Sequence, residues 1–263
     1  MSRRGLVEGK VAVVTGVGPG LGRATALALA REGAAVALVA RSAERLGDVA
    51  AEITAQGGRA LAVPASVTKP DDCGRVAEAA VAAFGGIDIV VNSAFRGDPF
   101  QPVETADLDV WRKIFEVNFF GPTLMTRACL PALRQRGGGS VVMVASQSAR
   151  KIRPNEAGYA ASKAALITLT RSLATELAAD HIRVNAVVPG WIWGPNVQLY
   201  VDWQTQERGI TPDEVIGEIT REIPLGEIPP QEDIAEAIVF FASGMARVIT
   251  GQTLDVNGGE YFG

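Results

Sequence analysis

Tyr159 and Lys163 stand four residues apart in a stretch, Glu156 to Ala179, whose composition predicts a long helix. Residues at that spacing share one helix face. An ammonium beside a phenol stabilises the phenolate and lowers the tyrosine pKa from its usual ~10. A tyrosine placed in this way can give or take a proton near neutral pH. Ser146 lies thirteen residues before Tyr159, just beyond an apolar run, Ser140 to Ala145, that reads as a strand. That is the carboxyl edge, where ligands bind in such sheets. The Tyr-x-x-x-Lys spacing by itself also fits an ordinary surface pair, so the rest of the chain must decide.

A second chemistry-bearing segment is Thr15-Gly16-Val17-Gly18-Pro19-Gly20-Leu21-Gly22, with four glycines in seven residues. It follows an apolar run, Val11 to Thr15, and precedes a helical stretch, Leu21 to Arg31. Gly16 allows a sharp exit from the strand. Gly20 and Gly22 let backbone approach a pyrophosphate and let the helix pack close to the sheet. The helix N-terminus, with its free N–H groups and partial positive charge, suits phosphates. The next apolar run ends in Val39-Ala40-Arg41-Ser42. Dinucleotide sites for NAD place an acid near there for the ribose 2′-hydroxyl. Arg41 instead suits a 2′-phosphate, so NADP is the expected cofactor, with NAD as the alternative.

These groups need a scaffold that brings strand ends together. Apolar runs at 11–15, 36–40, 60–63, 87–91, 140–145, 182–188 and 253–256 read as strands. They are solid rather than alternating, as in a parallel sheet covered on both faces. Helical patterns fall between them: Leu21 to Arg31 with Gly33 beyond its end, Ser42 to Gln56, a start at Pro70-Asp71-Asp72, Ala106 to Arg136 with a bend near Pro122, Glu156 to Ala179, and Pro230 to Ala242. Alternation of this kind predicts an α/β doubly wound sheet. The segment from Pro189 to Glu227 reads as one long irregular stretch, a length that usually carries function.

Composition narrows the possibilities. The chain has 263 residues, 48% of them hydrophobic, which suits one domain with a sizeable core. A net charge of −4 without long runs of one sign argues against nucleic acid as the main partner. Cys73 and Cys129, with no CxxC, read as buried thiols in a reducing compartment. The one histidine, His181, argues against a histidine-based metal site or triad. Met1 to Lys10 is short and polar, unlike a signal peptide, and no apolar run reaches the ~18 residues of a membrane span. A cytoplasmic location is expected.

The chain from Lys10 to Gly259 resembles the short-chain dehydrogenase/reductase family. The resemblance rests on Thr15-Gly-x-x-x-Gly20-x-Gly22, Asn92-x-Ala94, Asn118, Ser146, Tyr159-x-x-x-Lys163 and Pro189-Gly190. It implies a single-domain Rossmann-type fold over residues 1–263, with a mostly seven-stranded parallel sheet, helices on both faces and a substrate lid at about 190–227. It implies interconversion of a secondary alcohol and a ketone by hydride transfer. Tyr159 would be the acid/base and Ser146 would bind the reacting oxygen. Lys163 would hold the nicotinamide ribose and depress the Tyr159 pKa, and Asn118 would support a water linking Lys163 to solvent. Cofactor contacts would come from Gly16, Pro19, Gly20, Leu21, Gly22, Arg41, Val67, Asn92, Ala94, Tyr159, Lys163, Pro189 and Ile192. No metal is implied. A carrier-linked 3-oxoacyl reductase and a non-catalytic nucleotide-binding regulator are the alternatives, and a homotetramer or homodimer is the usual assembly.

The sequence departs from the family pattern at five places. Ser66 stands before Val67 where aspartate is usual, Phe95 follows Ala94 where glycine is common, and Gly194 replaces a threonine. Asn257 takes the place of an aspartate before Gly258 and Gly259. The glycine turn lacks the basic residue that many NADP-using members carry. Trp191, Trp193, Tyr200 and Trp203 place three of the four tryptophans within thirteen residues. These rings suit an apolar or cyclic substrate, or pack the segment against the body or a neighbouring subunit. Arg150, Lys151 and Arg153 could meet an anionic substrate or an acyl carrier, although such clusters are more often solvated loops.

Overall fold

The computed structural model describes residues 5–263; the first four residues of the polar start, Met1 to Lys10, lie outside the described residues. Seven parallel strands form one sheet in the order β3-β2-β1-β4-β5-β6-β7. They are β1 Val11–Thr15, β2 Ala35–Ala40, β3 Arg59–Pro64, β4 Ile89–Asn92, β5 Gly139–Val144, β6 Ile182–Pro189 and β7 Thr253–Val256. The helices are α1 Leu21–Arg31, α2 Ala43–Ala55, α3 Pro70–Phe84, α4 Leu108–Phe115, α5 Gly121–Gln135, α6 Ala157–Glu176, α7 Pro195–Arg208, α8 Pro212–Arg221 and α9 Gln231–Ala242. The strand order reverses beside β1, between β1 and β4. That switch point opens a crevice at the carboxyl ends of the strands, where ligands bind in such sheets.

Both faces of the sheet are covered, which is why the strands are apolar throughout. On one face Val13, Val39, Val90, Val141 and Val184 pack against Cys73 and Val76 of α3, Met125 and Cys129 of α5, and Leu166 of α6. On the other, Ala12, Val14, Leu38, Val91 and Val142 meet Leu29 of α1, Leu46 of α2 and Ile238 of α9. Both thiols are buried and free, and burial pushes them up to about 11 for Cys73 and about 12 for Cys129. Among the described residues, no helix is long and apolar enough to cross a membrane.

Two expectations need correction. The run from Ala106 to Arg136 is helical from Leu108 to Gln135, but its irregularity lies before Pro122: Glu116–Phe120 forms a π-turn that joins α4 to α5. Pro122 sits in the first turn of α5, directly after the π-turn, which accommodates its missing N–H. The stretch from Pro189 to Glu227 is not irregular either. It holds α7 and α8, which bury Val197, Val201, Val215 and Ile219 in a small core of their own. Helix α8 opens on a capping box: the Thr211 hydroxyl accepts from the Glu214 N–H, and the Glu214 carboxylate accepts from the Thr211 N–H.

Candidate active site

The glycine turn takes its shape from two close approaches. Gly16 has a φ of +74°, and a Cβ there would stand 2.6 Å from the Ala94 backbone. A Cβ on Gly22 would overlap the Gly16 carbonyl oxygen. These two glycines bring β1, α1 and the end of β4 together. A Cβ on Gly18 or Gly20 meets almost nothing, so those positions leave backbone open to a ligand. Gly20 caps α1 without any side-chain hydrogen bond, and the first turn carries no acid. The positive end of α1 is therefore left for a phosphate.

Beside the turn lies a cleft of about 620 Å³. It is lined by Gly16 and Gly18, by Ala65, Ser66 and Val67, and by Arg41, Ser42 and Arg45. Ala94, Phe95 and Arg96 close the near side. This shape and donor set fit the adenosine half of a dinucleotide, with two exposed guanidinium groups at the far end of the crevice. Ser66, in place of the usual aspartate, pairs its hydroxyl with Thr68 at 2.9 Å. Arg45 had no motif to mark it and emerges only from the fold.

Asn92 ends β4 beside the cleft. Its side chain is buried and donates to Thr126 Oγ1 at 3.0 Å, bracing α5 and leaving the cleft to Ser93 and Ala94. Thr15 sets that segment's height: its hydroxyl accepts from the Ser93 and Ala94 N–H groups at 3.1 and 3.3 Å. At the other end of the crevice, Pro189 ends β6 and Ile192 packs toward the α1 and α9 side of the sheet. A Cβ at Gly194 would overlap the Gln231 amide, and Gln231 Oε1 lies 3.8 Å from the Cβ position of Gly20. Gln231 thus fills space between Gly194 and the glycine turn, beside the place where a threonine is usual.

The proton-handling groups meet where α6 crosses the end of β5. Lys163 is 2% exposed, and its ammonium donates to the Val144 carbonyl at 2.7 Å. It lies 5.7 Å from the centroid of the Tyr159 ring. Ser146 Oγ accepts from the Ser148 N–H at 3.2 Å, which leaves its own proton available to donate. Ser148 in turn donates to Glu156 at 3.0 Å. Asn118 sits on the π-turn with its amide fully engaged. Its Oδ1 accepts from the Arg96 N–H at 2.7 Å, and its Nδ2 donates to the Arg96 carbonyl and Ser162 Oγ at 3.0 Å each. Through these bonds Asn118 pins the loop after β4 to α6. A π-turn is a common device for aiming one residue into a site. Asp98, from the same loop, accepts from the Tyr159 N–H at 3.1 Å, giving α6 a cap that the sequence did not announce.

The expected lowering of the Tyr159 pKa is not what the polypeptide's own groups produce. Burial pushes the phenol up to about 12; the Ser146 hydroxyl pulls it down and Glu156 adds to the rise. Burial also pushes Lys163 down to about 7, so near neutrality its charge is only partly present to favour a phenolate. The resting arrangement is a neutral phenol hydrogen-bonded with the Ser146 hydroxyl.

The basic cluster is neither a solvated loop nor an open landing patch. Arg150 is held by Asp255 and Thr253. Lys151 reaches Glu222 at 2.6 Å and Glu260 at 3.0 Å, and Arg153 reaches Glu260 at 2.8 Å. Each of the three cations has its acid inside the fold.

A doubly wound sheet with a glycine turn at its switch point and a Ser-Tyr-Lys group on the adjoining strand and helix defines a nicotinamide-dependent oxidoreductase. The chain belongs to the short-chain dehydrogenase/reductase family: the family model described as enoyl-(acyl carrier protein) reductase matches residues 16–260. Among individual relatives, it is 37% identical over 250 residues to cis-4-hydroxycyclohexanecarboxylate dehydrogenase of Sinomonas cyclohexanicum, covering 95% of this chain and 96% of that one. It is 37% identical over 259 residues to human dehydrogenase/reductase SDR family member 4, covering 98% and 90%. The crystal structure of L-sorbose reductase from Gluconobacter frateurii, complexed with NADPH and L-sorbose, superposes with a TM-score of 0.92 at 33% identity and 98% coverage of both chains.

Proposed function

We propose that this enzyme interconverts a secondary alcohol and a ketone with NADP(H), using Tyr159 as the acid/base. The observation that carries the reading is the convergence of Ser146, Tyr159 and Lys163 at the carboxyl end of β5. In the reducing direction the Tyr159 hydroxyl gives its proton to the carbonyl oxygen, while the Ser146 O–H hydrogen-bonds the same oxygen and steadies the charge that develops there. In the oxidising direction the alcohol proton returns to Tyr159. When bound, the nicotinamide accepts or supplies the hydride at the carbon. Lys163 holds its place through Val144 and biases the phenol, and Asn118 and Asp98 fix the loop and helix on which Tyr159 depends. A neutral resting phenol is the state that reduction requires.

Arg41 and Arg45 at the cleft wall favour NADP over NAD, since a guanidinium fits a 2′-phosphate. We assign residues 190–227 as the substrate lid. Trp191 and Tyr200, with ring centroids 5.1 Å apart, favour a neutral, apolar or cyclic substrate. The relatives named for a hydroxycyclohexane acid and a ketose lend support to small carbonyl or alcohol substrates. The paired state of Arg150, Lys151 and Arg153 weighs against a carrier-linked acyl substrate, which needs free cations for docking. A panel tests the proposal: cyclohexanone, 4-oxocyclohexanecarboxylate, acetophenone, a ketose and an acetoacetyl thioester, each with NADPH and NADH, followed by absorbance of the reduced nicotinamide. Turnover of a simple ketone with NADPH supports it; no turnover of any ketone with either cofactor contradicts it, and turnover of the thioester alone selects the carrier-linked reading instead.

A further inference from the structure

Glu260, in the turn after β7, carries a carboxylate that the proton-transfer scheme leaves unused. Its side chain is 0% exposed. A carboxylate taken out of water persists where cations surround it, and here both cations come from the loop that begins at Ser146. Lys151 and Arg153 each donate to Glu260 Oε1. Lys151 also grips Glu222 just after α8, at the far end of the proposed lid. The Arg153 guanidinium stacks on Trp191 at 4.5 Å, at the near end. Trp191 leans on Tyr200, whose centroid lies 6.0 Å from that of Trp203. Through Lys151 and Arg153, one carboxylate thus joins the Ser146 loop to both ends of the proposed lid.

The turn that delivers Glu260 is built by Asn257. Gly258 and Gly259 take φ values of +63° and +88°. Asn257 Oδ1 accepts from the Gly259 N–H at 2.9 Å, and its Nδ2 donates to the Tyr261 carbonyl at 3.0 Å. An aspartate has no N–H for the second bond. The asparagine that departs from the family pattern therefore has a definite task. Glu260 Oε2 faces Gly190, whose missing side chain leaves room for it: a Cβ there would stand 3.1 Å from Oε2 and 2.8 Å from Gln147 Oε1.

We propose that Glu260, held by the Asn257 turn, is a positioning residue that fixes the Ser146 loop against the aromatic wall and thereby sets substrate affinity. The inference rests on the reading of Ser146 and Tyr159 as the reacting pair. The test uses the holoenzyme, saturated with NADPH, and the panel ketone of highest kcat/KM. Glu260→Gln keeps the shape and removes the charge. The expected result is a rise in KM of about tenfold, a change in kcat of less than about threefold, and an unchanged cofactor Kd. Tryptophan emission should shift as Arg153 leaves Trp191, and that shift should vanish in a Trp191→Phe background. Asn257→Asp should show the same changes at smaller size. If Glu260→Gln does not fold, Arg153→Met breaks the tie from the loop side and carries the same KM and emission expectations. Unchanged KM and emission would overturn the proposal. So would parallel losses in KM, kcat, cofactor affinity and melting temperature, which mark a merely structural role. Turnover that survives Tyr159→Phe overturns the proton-transfer scheme instead, and leaves the emission readout intact.

Discussion

The Lys163 ammonium donates to the Val144 carbonyl across 2.7 Å, joining α6 to the last residue of β5 two positions before Ser146. That bond places a helix residue and a strand end in one site. It also takes an ammonium out of water with one carbonyl for company, and the result is a lysine pushed down to about 7.

This depression predicts a pH-dependent stability. An unfolded lysine binds its proton below about 10.4, whereas folded Lys163 binds one only below about 7. Between those values the unfolded chain holds more protons, so stability attributable to Lys163 rises with pH, by at most about 1.4 kcal/mol per unit. Urea unfolding at pH 7 to 9, compared with Lys163→Met, checks it. The wild type should gain on the variant as pH rises, and a constant difference would refute the buried, neutral-leaning lysine.

The two kinds of glycine in the turn should behave differently. Gly22→Ala pushes a methyl group into the Gly16 carbonyl, and overpacking against backbone costs at least about 2 kcal/mol. Gly18→Ala meets open space and should stay within about 0.5 kcal/mol of the wild type. Urea midpoints separate them. NADPH binding should suffer in both, at Gly18 because a methyl group fills the space left for a ligand and at Gly22 because the turn itself is displaced.

Arg41→Asp should move cofactor preference toward NAD. An acid at the end of β2 accepts from a ribose 2′-hydroxyl and repels a 2′-phosphate. The ratio of kcat/KM for NADPH over NADH should fall at least about tenfold, which is 1.4 kcal/mol of discrimination. An unchanged ratio would show that Arg41 does not read the phosphate.

Much of this architecture was legible in the residues because its signals are local. The bounds of β1, α1 and β7 follow from apolar runs and from glycines that must bend the chain. The Tyr159–Lys163 spacing holds because α6 is regular there. The π-turn at Glu116–Phe120 was hidden, since one extra residue in a helix changes neither composition nor period enough to show. Helices α7 and α8 were hidden for another reason: they pack on a core of only a few residues, so their apolar stripe is thin. The signal for α8 was nonetheless present, in Thr211, Pro212 and Glu214 at capping-box spacing. The direction of the Asn92 side chain depends on which face of β4 it occupies, and the partners of Lys151 and Arg153 lie about a hundred residues away in the chain. Contacts of that range leave no trace in a local pattern.

The central claim is that Tyr159 carries the proton. Tyr159→Phe removes one hydroxyl and keeps the ring that Lys163 faces. Initial rates of ketone reduction with NADPH, beside NADPH affinity by fluorescence titration, test it most directly. Turnover should fall about 10³-fold or more, within the range for a lost acid/base, with NADPH affinity changed less than about threefold. Turnover within tenfold of the wild type would contradict it.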